Sequence, residues 1–478
     1  MAPSATRAQD ARLVAALAAA KVTGAAIRRL GRGGGTAAPG LVAERIDPEL
    51  LGKIGRRLPH GTVVVAGTNG KTTVSRMLAD ILSAHGLRVA HNRSGSNLVR
   101  GVASALAGQS NVLGSPRAEI GVIESDEAAL PEIVRQLAPR VVLLNNLFRD
   151  QLDRYGELDM IAARWRPALE RLPETTTVVV NVDDPTLATI SEGIAAKRVA
   201  FGLDERDPRY LLAEIPHAAD AKSCRLCGRD LHYDRLYSAH LGAWRCPGCG
   251  TARPPLDISG TAVALDGLDG LSLVANDRRG AGDAIEATLT IPGLFNAYNA
   301  LAAVAAARTL GVPSEKITTA LGAYRPAFGR IERVPYRGRT LTLALVKNPV
   351  GFNETLRILT LSSGGLTVPT LVAINDHTAD GRDVSWLWDV DFELLSDGSA
   401  PLATTGIRGA DMANRLKYAG VAEERITPLP ADLGTGLDAF VEGLPAGGEG
   451  YILLTYTATL GLRQVLADRG AVAPFWEQ

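Results

Sequence analysis

A glycine-rich turn near the start of the chain carries the residue types that bind a nucleoside triphosphate. The apolar run 63–66 leads directly into Gly67, Thr68, Asn69, Gly70, Lys71, Thr72 and Thr73. Glycines let the backbone turn tightly, so that its N–H groups and the positive end of the following helix face a phosphate. The lysine reaches the β- and γ-phosphates, and Thr72 supplies a hydroxyl ligand to Mg²⁺. Val65 stands where the general phosphate-loop pattern has its first glycine, so an ordinary strand-to-helix turn is the alternative.

All four cysteines of the chain fall within one short segment, in two pairs. Two residues separate Cys224 from Cys227 and Cys246 from Cys249, and 18 residues separate the pairs. Four thiolates at this spacing predict a closed tetrahedral Zn²⁺ site of the zinc-ribbon type, with a structural role. Two disulfides are the alternative, which a reducing cytosol disfavours. The segment between the pairs has no basic run, so we interpret the ribbon as a folding staple or a docking element.

The size and composition of the chain bound the kind of protein that carries these motifs. A length of 478 residues predicts about three domains, and an apolar content of 46% is ample for buried cores. Lysine plus arginine equals aspartate plus glutamate at 51 each, so the overall charge indicates neither a nucleic acid nor an acidic membrane as partner. The apolar run 13–20 is too short to span a bilayer, which predicts a soluble, cytoplasmic protein. Segment 11–30 is predicted to be a packing helix, with contact at a membrane surface as the alternative.

Alternating strand and helix patterns surround the phosphate-binding turn and predict an α/β fold whose parallel sheet is covered on both faces. The predicted strands are 63–66, 119–123, 141–144, 177–182 and 198–201. Segment 205–257 breaks this alternation and holds all four cysteines, so it is predicted to be an insertion. Short β-strands over 261–291 and an alanine-rich helix over 296–310 follow. Further strands at 342–346, 370–374, 402–404 and 451–455 predict a carboxy-terminal Rossmann-like α/β domain.

Other motifs follow the phosphate-binding turn in a fixed order. They are IESDE at 123–127, NNLFRDQLDRYG at 145–156, PGLFNAYNA at 292–300, FGRIE at 328–332, VKNPVGFN at 346–353 and NDHTADGRDVSWLWDVDFE at 375–393. In this order, over about residues 30–470, they resemble the motifs of the Mur ligase superfamily and, within it, of the MurT family. The conjunction of ordered motifs is far more specific than any one of them.

The resemblance implies which residues hold the metal and the phosphates. In Mur-type enzymes, an acidic Mg²⁺ ligand ends the strand that leads into the IESDE-type motif. Glu124 corresponds to that ligand in this sequence. A carboxylate at a strand's carboxyl end can give a hard cation its oxygen. Asp126 and Glu127 are alternatively a helix-starting acidic cluster that supports the helix dipole. Gln151 stands where many relatives have a metal-holding histidine, so a second Mg²⁺ stays open.

Three further sets of residues are implied near the nucleotide. Asn146, Asp150 and Asp153 are polar groups near the phosphates, unless their loop only caps a helix. Asn296 and Asn299 correspond to the family's adenine-facing asparagines and share one helical face. Arg330 belongs to the element that closes the central domain and suits a phosphate because its charge is permanent.

The last two motifs belong to the carboxy-terminal domain. From the stretch with which Mur ligases bind an amino acid, only Asn348 and Pro349 persist. The 375–393 stretch resembles the most MurT-specific part of the family and combines two tryptophans with five aspartates. The resemblance implies that an aspartate of this domain completes the Cys-His pair of a glutaminase partner, with Asp389 and Asp383 as candidates. A helix cap with two core tryptophans is the alternative.

The resemblance also implies an architecture and a reaction. A helical or linker segment over 1–45 precedes a central Mur-ligase-type ATPase domain over 46–335, with the zinc ribbon inserted at about 220–255, and a MurT-type domain over 336–478. With ATP and Mg²⁺, such a protein phosphorylates the α-carboxylate of D-glutamate in lipid II. Ammonia from a GatD-like glutaminase subunit, bound as a heterodimer, then gives D-isoglutamine in peptidoglycan biosynthesis. The expected location is the cytoplasm, at the inner face of the membrane.

Two other functions remain compatible with the residues. The first is a stand-alone Mur or folate-type amino-acid ligase, which the altered 346–353 stretch disfavours. The second is a non-catalytic ATP-binding scaffold whose zinc ribbon recruits a partner. The intact Lys71, Thr72 and Glu124 disfavour the scaffold.

Overall fold

A computed structural model describes residues 10–29, 37–92, 96–149, 158–280, 283–325, 331–361 and 365–473. Three helices come first, α1 (Ala11–Arg29), α2 (Ala38–Ile46) and α3 (Leu50–Gly55). The strands before the cysteine segment are β1 (Thr62–Ala66), β2 (Val89–His91), β3 (Ile120–Glu124), β4 (Val141–Leu144), β5 (Thr177–Asn181) and β6 (Lys197–Leu203). A hairpin of β7 (His232–Ser238) and β8 (Leu241–Arg245) follows, and then β9 (Ile258–Asp266), β10 (Gly270–Asp277) and β11 (Ile285–Leu289). The helices that accompany these strands are α4 (Lys71–Ala84), α5 (Val99–Gly108), α6 (Leu130–Leu137), α7 (Leu158–Glu170), α8 (Pro185–Ile190), α9 (Leu294–Thr309) and α10 (Ser314–Ala323).

A second strand–helix series completes the described chain. Its strands are β12 (Ile331–Tyr336), β13 (Arg339–Leu345), β14 (Thr370–Ala373), β15 (Leu402–Thr405), β16 (Ile426–Pro428) and β17 (Glu449–Leu454). Its α-helices are α11 (Pro349–Thr360), α12 (Gly409–Tyr418), α13 (Leu433–Glu442) and α14 (Tyr456–Asp468). Short 3₁₀ helices cover Pro208–Tyr210, Ser385–Asp389, Phe392–Leu395 and Glu423–Arg425.

The strands form two mixed sheets and the separate hairpin. The first sheet has the order β11-β10-β9-β6-β5-β4-β1-β3-β2, and the second has the order β12-β13-β17-β14-β15-β16. The predicted α/β class is confirmed, but the prediction of a parallel first sheet is wrong at one edge, where β10 pairs antiparallel with β9 and with β11. The turn between β9 and β10 is too short for a crossover, and a short turn joins strands only in antiparallel fashion.

Alternating residues of β1 explain how the first sheet acquires a core on each face. Val63 and Val65 belong to the cluster that contains α4 and α9 side chains, whereas Val64 and Ala66 belong to the cluster that contains side chains of α1, α3 and α6. This alternation follows from the two-residue period of a strand. The strand that precedes the phosphate-binding turn is therefore buried on both faces, which fixes where the turn leaves the sheet.

The strands that were not predicted within the described chain are β2, β7, β8, β12 and β16. β2 and β16 have only three residues each, too few for a hydrophobic period to show, and β7 and β8 lie in the segment that was predicted only as an insertion. The predicted alanine-rich helix is present as α9, and its alanines are fully buried. None of the helices in the described ranges combines the length and the apolar character that crossing a bilayer requires.

Candidate functional site

A cavity of about 870 Å³ is lined by residues that follow strands of both sheets. Its walls include the loops after β1, β3 and β4, the first turn of α4 and the segment that joins β13 to α11. Ligands of open α/β sheets bind at such carboxyl edges, because the loops leave the sheet there together. The structure brings residues 68–73, Glu124, Asn296 and Asn299 to this one cavity.

The phosphate-binding turn has the backbone geometry that its glycines predict. Gly67 and Gly70 have φ angles of +148° and +83°, which residues with a side chain rarely adopt. Thr68 holds the turn in place, because its Oγ1 donates to the carbonyl oxygen of Phe148 at 3.1 Å and accepts from the Phe148 N–H at 3.0 Å. No side chain caps the start of α4 at Lys71. The first N–H groups of this helix are therefore suited to an anion.

The Lys71 ammonium is held by an ion pair that sequence reasoning did not predict. Its Nζ lies 3.1 Å from Oε2 of Glu127 and donates to the carbonyl oxygen of Thr68 at 3.0 Å. Both charged side chains line the cavity and are largely withdrawn from solvent. Glu127 therefore has a defined partner in this structure, beyond the dipole-supporting role considered from the sequence. The acidic cluster after β3 was the signal that could have suggested it.

The Glu124 carboxylate has the environment of a cation ligand. It ends β3, is only 3% exposed, and its Oε2 is buried without a hydrogen-bond partner among the described residues. The other oxygen, Oε1, accepts a long bond of 3.4 Å from Asn97. An orphaned, buried carboxylate oxygen that lines a cavity fits a hard cation such as Mg²⁺. Thr72 lines the same cavity, so the two predicted Mg²⁺ ligands share one site.

The predicted adenine-facing asparagines are engaged with the protein itself. Asn299 donates to Oδ1 of Asn296 at 3.0 Å and accepts from Nδ2 of Asn145 at 3.1 Å. A Cβ at Gly70 would lie 1.9 Å from the Asn299 Oδ1, so this amide sits directly behind the phosphate-binding turn. This amide therefore supports the turn, and Asn299 also lines the cavity. The adenine-facing role of Asn299 stays a prediction, as does the corresponding role of Asn296.

Neighbouring asparagines fix the turn from two other sides. Asn146 accepts from the Asn69 N–H at 2.8 Å and donates to the Asn69 carbonyl at 3.1 Å. Asn348, which caps α11, donates to Oδ1 of Asn69 at 2.9 Å. This last bond joins the second sheet's first helix to the phosphate-binding turn. No role was predicted for Asn348 or for Lys347, and both residues line the cavity.

Four predicted residues cannot be placed. Arg330, Asp150, Gln151 and Asp153 lie outside the described residues. Their roles and the question of a second Mg²⁺ therefore stay predictions.

The four cysteines form one cluster at the base of the β7–β8 hairpin. Their sulfur atoms all lie within 4.8 Å of one another, with Cys224 to Cys249 at 3.6 Å and Cys227 to Cys246 at 3.4 Å. Four sulfurs that each lie 2.3 Å from a tetrahedral zinc are about 3.8 Å apart, so the donor set fits Zn²⁺. The Cys249 backbone N–H lowers the pKa of the Cys246 thiol to about 6, which favours a thiolate at this one position, whereas desolvation and the Cys224 sulfur raise the pKa of the Cys249 thiol to about 11. The four thiols are free in this structure, so the two-disulfide alternative is not realised.

The hairpin is fastened to the first sheet next to the cavity. Trp244 donates to the carbonyl oxygen of Val182 at 3.0 Å, and Cys224 and Cys246 pack in the same core cluster. His240 is fully buried and its ring lies 4.8 Å from that of Phe148, the residue that holds Thr68. The cysteine segment therefore supports the wall from which the phosphate-binding turn is held.

The two candidate aspartates of the 375–393 stretch have different surroundings. Asp389 lies in the 3₁₀ helix Ser385–Asp389, with its Oδ2 at 3.4 Å from Nη1 of Arg149, which follows β4. Asp383 is exposed, and its Oδ1 accepts from the Ser385 N–H at 2.8 Å. This backbone bond holds the pKa of Asp383 below its ordinary value, so the carboxylate is ionised at neutral pH. Asp383 therefore faces solvent, whereas Asp389 faces the first sheet.

Exposed aromatic rings accompany Asp383. Trp388 is 52% exposed and Tyr418 is 70% exposed, and their ring centroids lie 5.6 Å apart. The buried Arg415 guanidinium lies 5.3 Å from the Trp388 ring centroid and is held by the carbonyls of Leu387 and Val390. The expectation that both tryptophans are core residues is therefore wrong for Trp388. Tyr418 had no sequence signal, because it is brought to Trp388 only by the packing of α12.

Comparison with known proteins agrees with this architecture. A family profile for the Mur ligase middle domain matches residues 65–234, and a profile for the MurT ligase C-terminal domain matches residues 345–459. The chain is 35% identical over 454 residues to the lipid II isoglutaminyl synthase (glutamine-hydrolyzing) subunit MurT of Streptococcus pneumoniae. That alignment covers 93% of this chain and 95% of the relative.

Solved structures of Mur-type ligases share the fold at low sequence identity. A pseudomurein peptide ligase type C from Methanothermus fervidus is similar with a TM-score of 0.64 and 17% identity, over 85% of this chain and 78% of that one. The MurF ligase from Thermotoga maritima, solved in complex with ADP, is similar with a TM-score of 0.60 and 13% identity, over 89% of this chain and 84% of that one. The chain therefore belongs to the MurT family of the Mur ligases.

Proposed function

We propose that this chain is the ATP-dependent subunit of a lipid II isoglutaminyl synthase. It activates the α-carboxylate of the D-glutamate in lipid II, and ammonia from a glutaminase partner converts it to D-isoglutamine. The observation that carries the proposal is the convergence of Lys71, Thr72 and Glu124 on one cavity that a MurT-type domain closes. The similar MurT subunit and the ADP complex of a Mur-type fold support the same reading.

The chemistry explains why a phosphate site and an amidation site belong together. A carboxylate is a poor electrophile because its leaving group would be oxide. Transfer of the γ-phosphoryl group to the carboxylate oxygen gives an acyl phosphate, from which phosphate leaves readily. The protein's contribution is to align the two reactants and to balance the charge that develops. Lys71 and the N–H groups at the start of α4 are placed for that task.

Thr72 and Glu124 are the residues that would hold Mg²⁺ in this cavity. The ion would supply positive charge next to the phosphates, which the transferring phosphoryl group requires. The orphaned Oε2 of Glu124 supports this assignment. Zn²⁺ is proposed separately for the four cysteines, as a structural ion of the hairpin.

We extend the proposal to the domains and the location. We propose a central domain over 46–335 and a MurT-type domain over 336–478. The sheets change close to this boundary, because β11 is the last strand of the first sheet and β12, which begins at Ile331, is the first strand of the second. Because lipid II is membrane-borne, we place the reaction at the inner face of the cytoplasmic membrane.

The exposed surface around Asp383 is our candidate for the glutaminase contact. It combines an ionised carboxylate with two exposed aromatic rings, Trp388 and Tyr418, a composition typical of protein interfaces. A catalytic histidine of the partner needs a carboxylate that can orient it. Asp383 is free to serve, whereas the Asp389 carboxylate is paired with Arg149.

We expect Asp383→Asn to abolish glutamine-dependent amidation and to leave ammonium-dependent amidation near the wild-type rate. The reason is that the carboxylate would act on the partner's chemistry and not on the ATP cavity. Asp389→Asn is the matched control. With glutamine, it should amidate lipid II clearly faster than Asp383→Asn does. Both rates are measured as the mass change of lipid II. A selective loss of glutamine use in Asp389→Asn instead would assign the role to Asp389.

The overall function is tested by incubating this chain with lipid II, Mg²⁺ and ATP. One reaction receives ammonium, and another receives glutamine with the copurified glutaminase partner. The expected product is a carboxamide in place of one carboxylate in both reactions, with glutamine use requiring the partner. Bound ATP without amidation from either nitrogen source would favour an amino-acid ligase or a scaffold.

A further inference from the structure

One buried carboxylate on the second-sheet side of the cavity has no role in phosphoryl transfer or in Mg²⁺ binding. Glu354 lies on α11, is 4% exposed and lines the cavity. Its Oε1 is 3.1 Å from Nη1 of Arg357, whereas no bond to Oε2 exists among the described residues. Because Glu354 lines the cavity, its carboxylate can meet a ligand there.

The other acids of the cavity have assignable partners. Glu127 is paired with Lys71, and Asp269 is paired with Arg333 at 2.8 Å. Asp126 accepts from the Ala128 N–H at 3.0 Å, and Glu124 is the candidate Mg²⁺ ligand. No histidine occurs among the described residues that line the cavity. Glu354 also has a cationic partner, Arg357, but the pair engages only Oε1, so Oε2 is the carboxylate oxygen that we consider for receiving a proton.

The position of Glu354 relative to the phosphates is set by α11. This helix is capped by Asn348, which is bonded to Asn69 of the phosphate-binding turn at 2.9 Å. Glu354 follows six residues later, which corresponds to about 9 Å along a helix axis. Glu354 is therefore tied to the phosphate-binding turn through a single helix.

The same helix also contacts the stretch that we assign to the glutaminase contact. Asn353 donates to Oδ2 of Asp391 at 2.6 Å and accepts from the Asp391 N–H at 2.9 Å. Ala379 lines the cavity, and the exposed Asp383 is only four residues further, so at most about 14 Å of chain separates them. The stretch that we assign to the glutaminase contact therefore reaches both the cavity wall and α11.

We propose that Glu354 is the general base that takes the proton from the attacking ammonia nitrogen, an assignment that rests on the proposed function. As the C–N bond forms, the nitrogen becomes positively charged. One proton passes from nitrogen to Oε2 of Glu354, the bond between the acyl carbon and the phosphate oxygen breaks, and the electron pair leaves with phosphate. A neutral carboxamide results. Without the base, the nitrogen keeps its proton and the attack reverses.

The test compares two nucleophiles on the full chain in complex with its glutaminase partner. Ammonium gives the carboxamide, whereas hydroxylamine gives a hydroxamate and can release its proton to water after attack. We expect Glu354→Gln to lower ammonium-dependent amidation about 10²-fold, as general bases typically contribute, while hydroxamate formation stays close to the wild-type rate. Glu354→Asp, which retains a carboxylate, should recover part of the ammonium rate.

The ion pair with Arg357 supplies the structural control. Arg357 also donates to the carbonyl oxygens of Tyr237 and Tyr210, so its loss would disturb α11 and the hairpin together. Arg357→Gln should therefore lower the rates with both nucleophiles, whereas Glu354→Gln should lower only the ammonium rate. Equal losses of both nucleophiles in Glu354→Gln, or an unchanged ammonium rate, would refute the base. Failure of the wild type with both nucleophiles would instead refute the proposed function, and this inference with it.

Discussion

Replacement of Lys71 by methionine is expected to lower amidation about 10³-fold, with ammonium and with glutamine alike. Lys71 is the cation at the start of α4, and its charge would offset the charge on the transferring phosphoryl group. A methionine keeps much of the length and apolar character of the side chain. The reduction in amidation rate therefore reports the loss of the positive charge. The measurement is the rate at which the lipid II mass changes.

Because Lys71 is paired with Glu127, the experiment must exclude a structural explanation for the loss of activity. Removing the lysine leaves the buried Glu127 carboxylate without its cationic partner, which typically costs about 3–5 kcal/mol. The double variant Lys71→Met/Glu127→Gln removes that penalty, so its unfolding temperature should return toward that of the wild type. Its amidation rate should stay low, because the phosphates still lack the cation. Recovery of activity in the double variant would show that Lys71 has only a structural role.

The location of the nucleotide cavity could be predicted from the sequence, because it depends on local patterns. Residues 62–66 are buried on both faces, and the glycines that follow have the backbone angles that their side-chain-free geometry allows. The cysteine pairs likewise predicted their own cluster, since their spacing fixes two turns that face each other. In both places, the residues that form the feature are close together in the chain.

Roles that depend on distant contacts could not be predicted in the same way. Asn299 resembles an adenine contact in sequence, and the structure shows in addition that its amide is hydrogen-bonded to Asn145 and Asn296 behind the turn. The difference between Asp383 and Asp389 depends on Arg149, more than 200 residues earlier in the chain. The pairing of Lys71 with Glu127 depends on the alignment of β1 with β3. A sequence motif identifies the residue, but its contacts in the folded chain determine whether its polar atoms are available to a ligand.

Replacement of Cys246 by serine is expected to abolish the proposed zinc binding and to unfold the β7–β8 hairpin. Structural zinc sites contribute about 10–16 kcal/mol in zinc-finger peptides, which equals or exceeds the total stability of a typical domain. Cys246 is 2% exposed and belongs to the core cluster beneath the hairpin, so the loss would also expose apolar side chains. Zinc content by mass spectrometry and the unfolding temperature are the measurements.

The substitution should also affect the ATP cavity. His240 of the hairpin packs against the ring of Phe148, and the Phe148 carbonyl accepts a hydrogen bond from Thr68. We therefore expect Cys246→Ser to weaken ATP binding, although no cysteine lines the cavity within the described residues. His232→Ala is the matched control, since this exposed histidine lies on the same hairpin outside the cysteine cluster and should keep both the zinc and the affinity for ATP. If the wild-type chain without metal unfolds at an unchanged temperature, a stabilising role of zinc in the fold is ruled out. A zinc-free Cys246→Ser chain with normal ATP affinity would restrict the metal's role to the hairpin, because the contact through His240 and Phe148 would then persist without it.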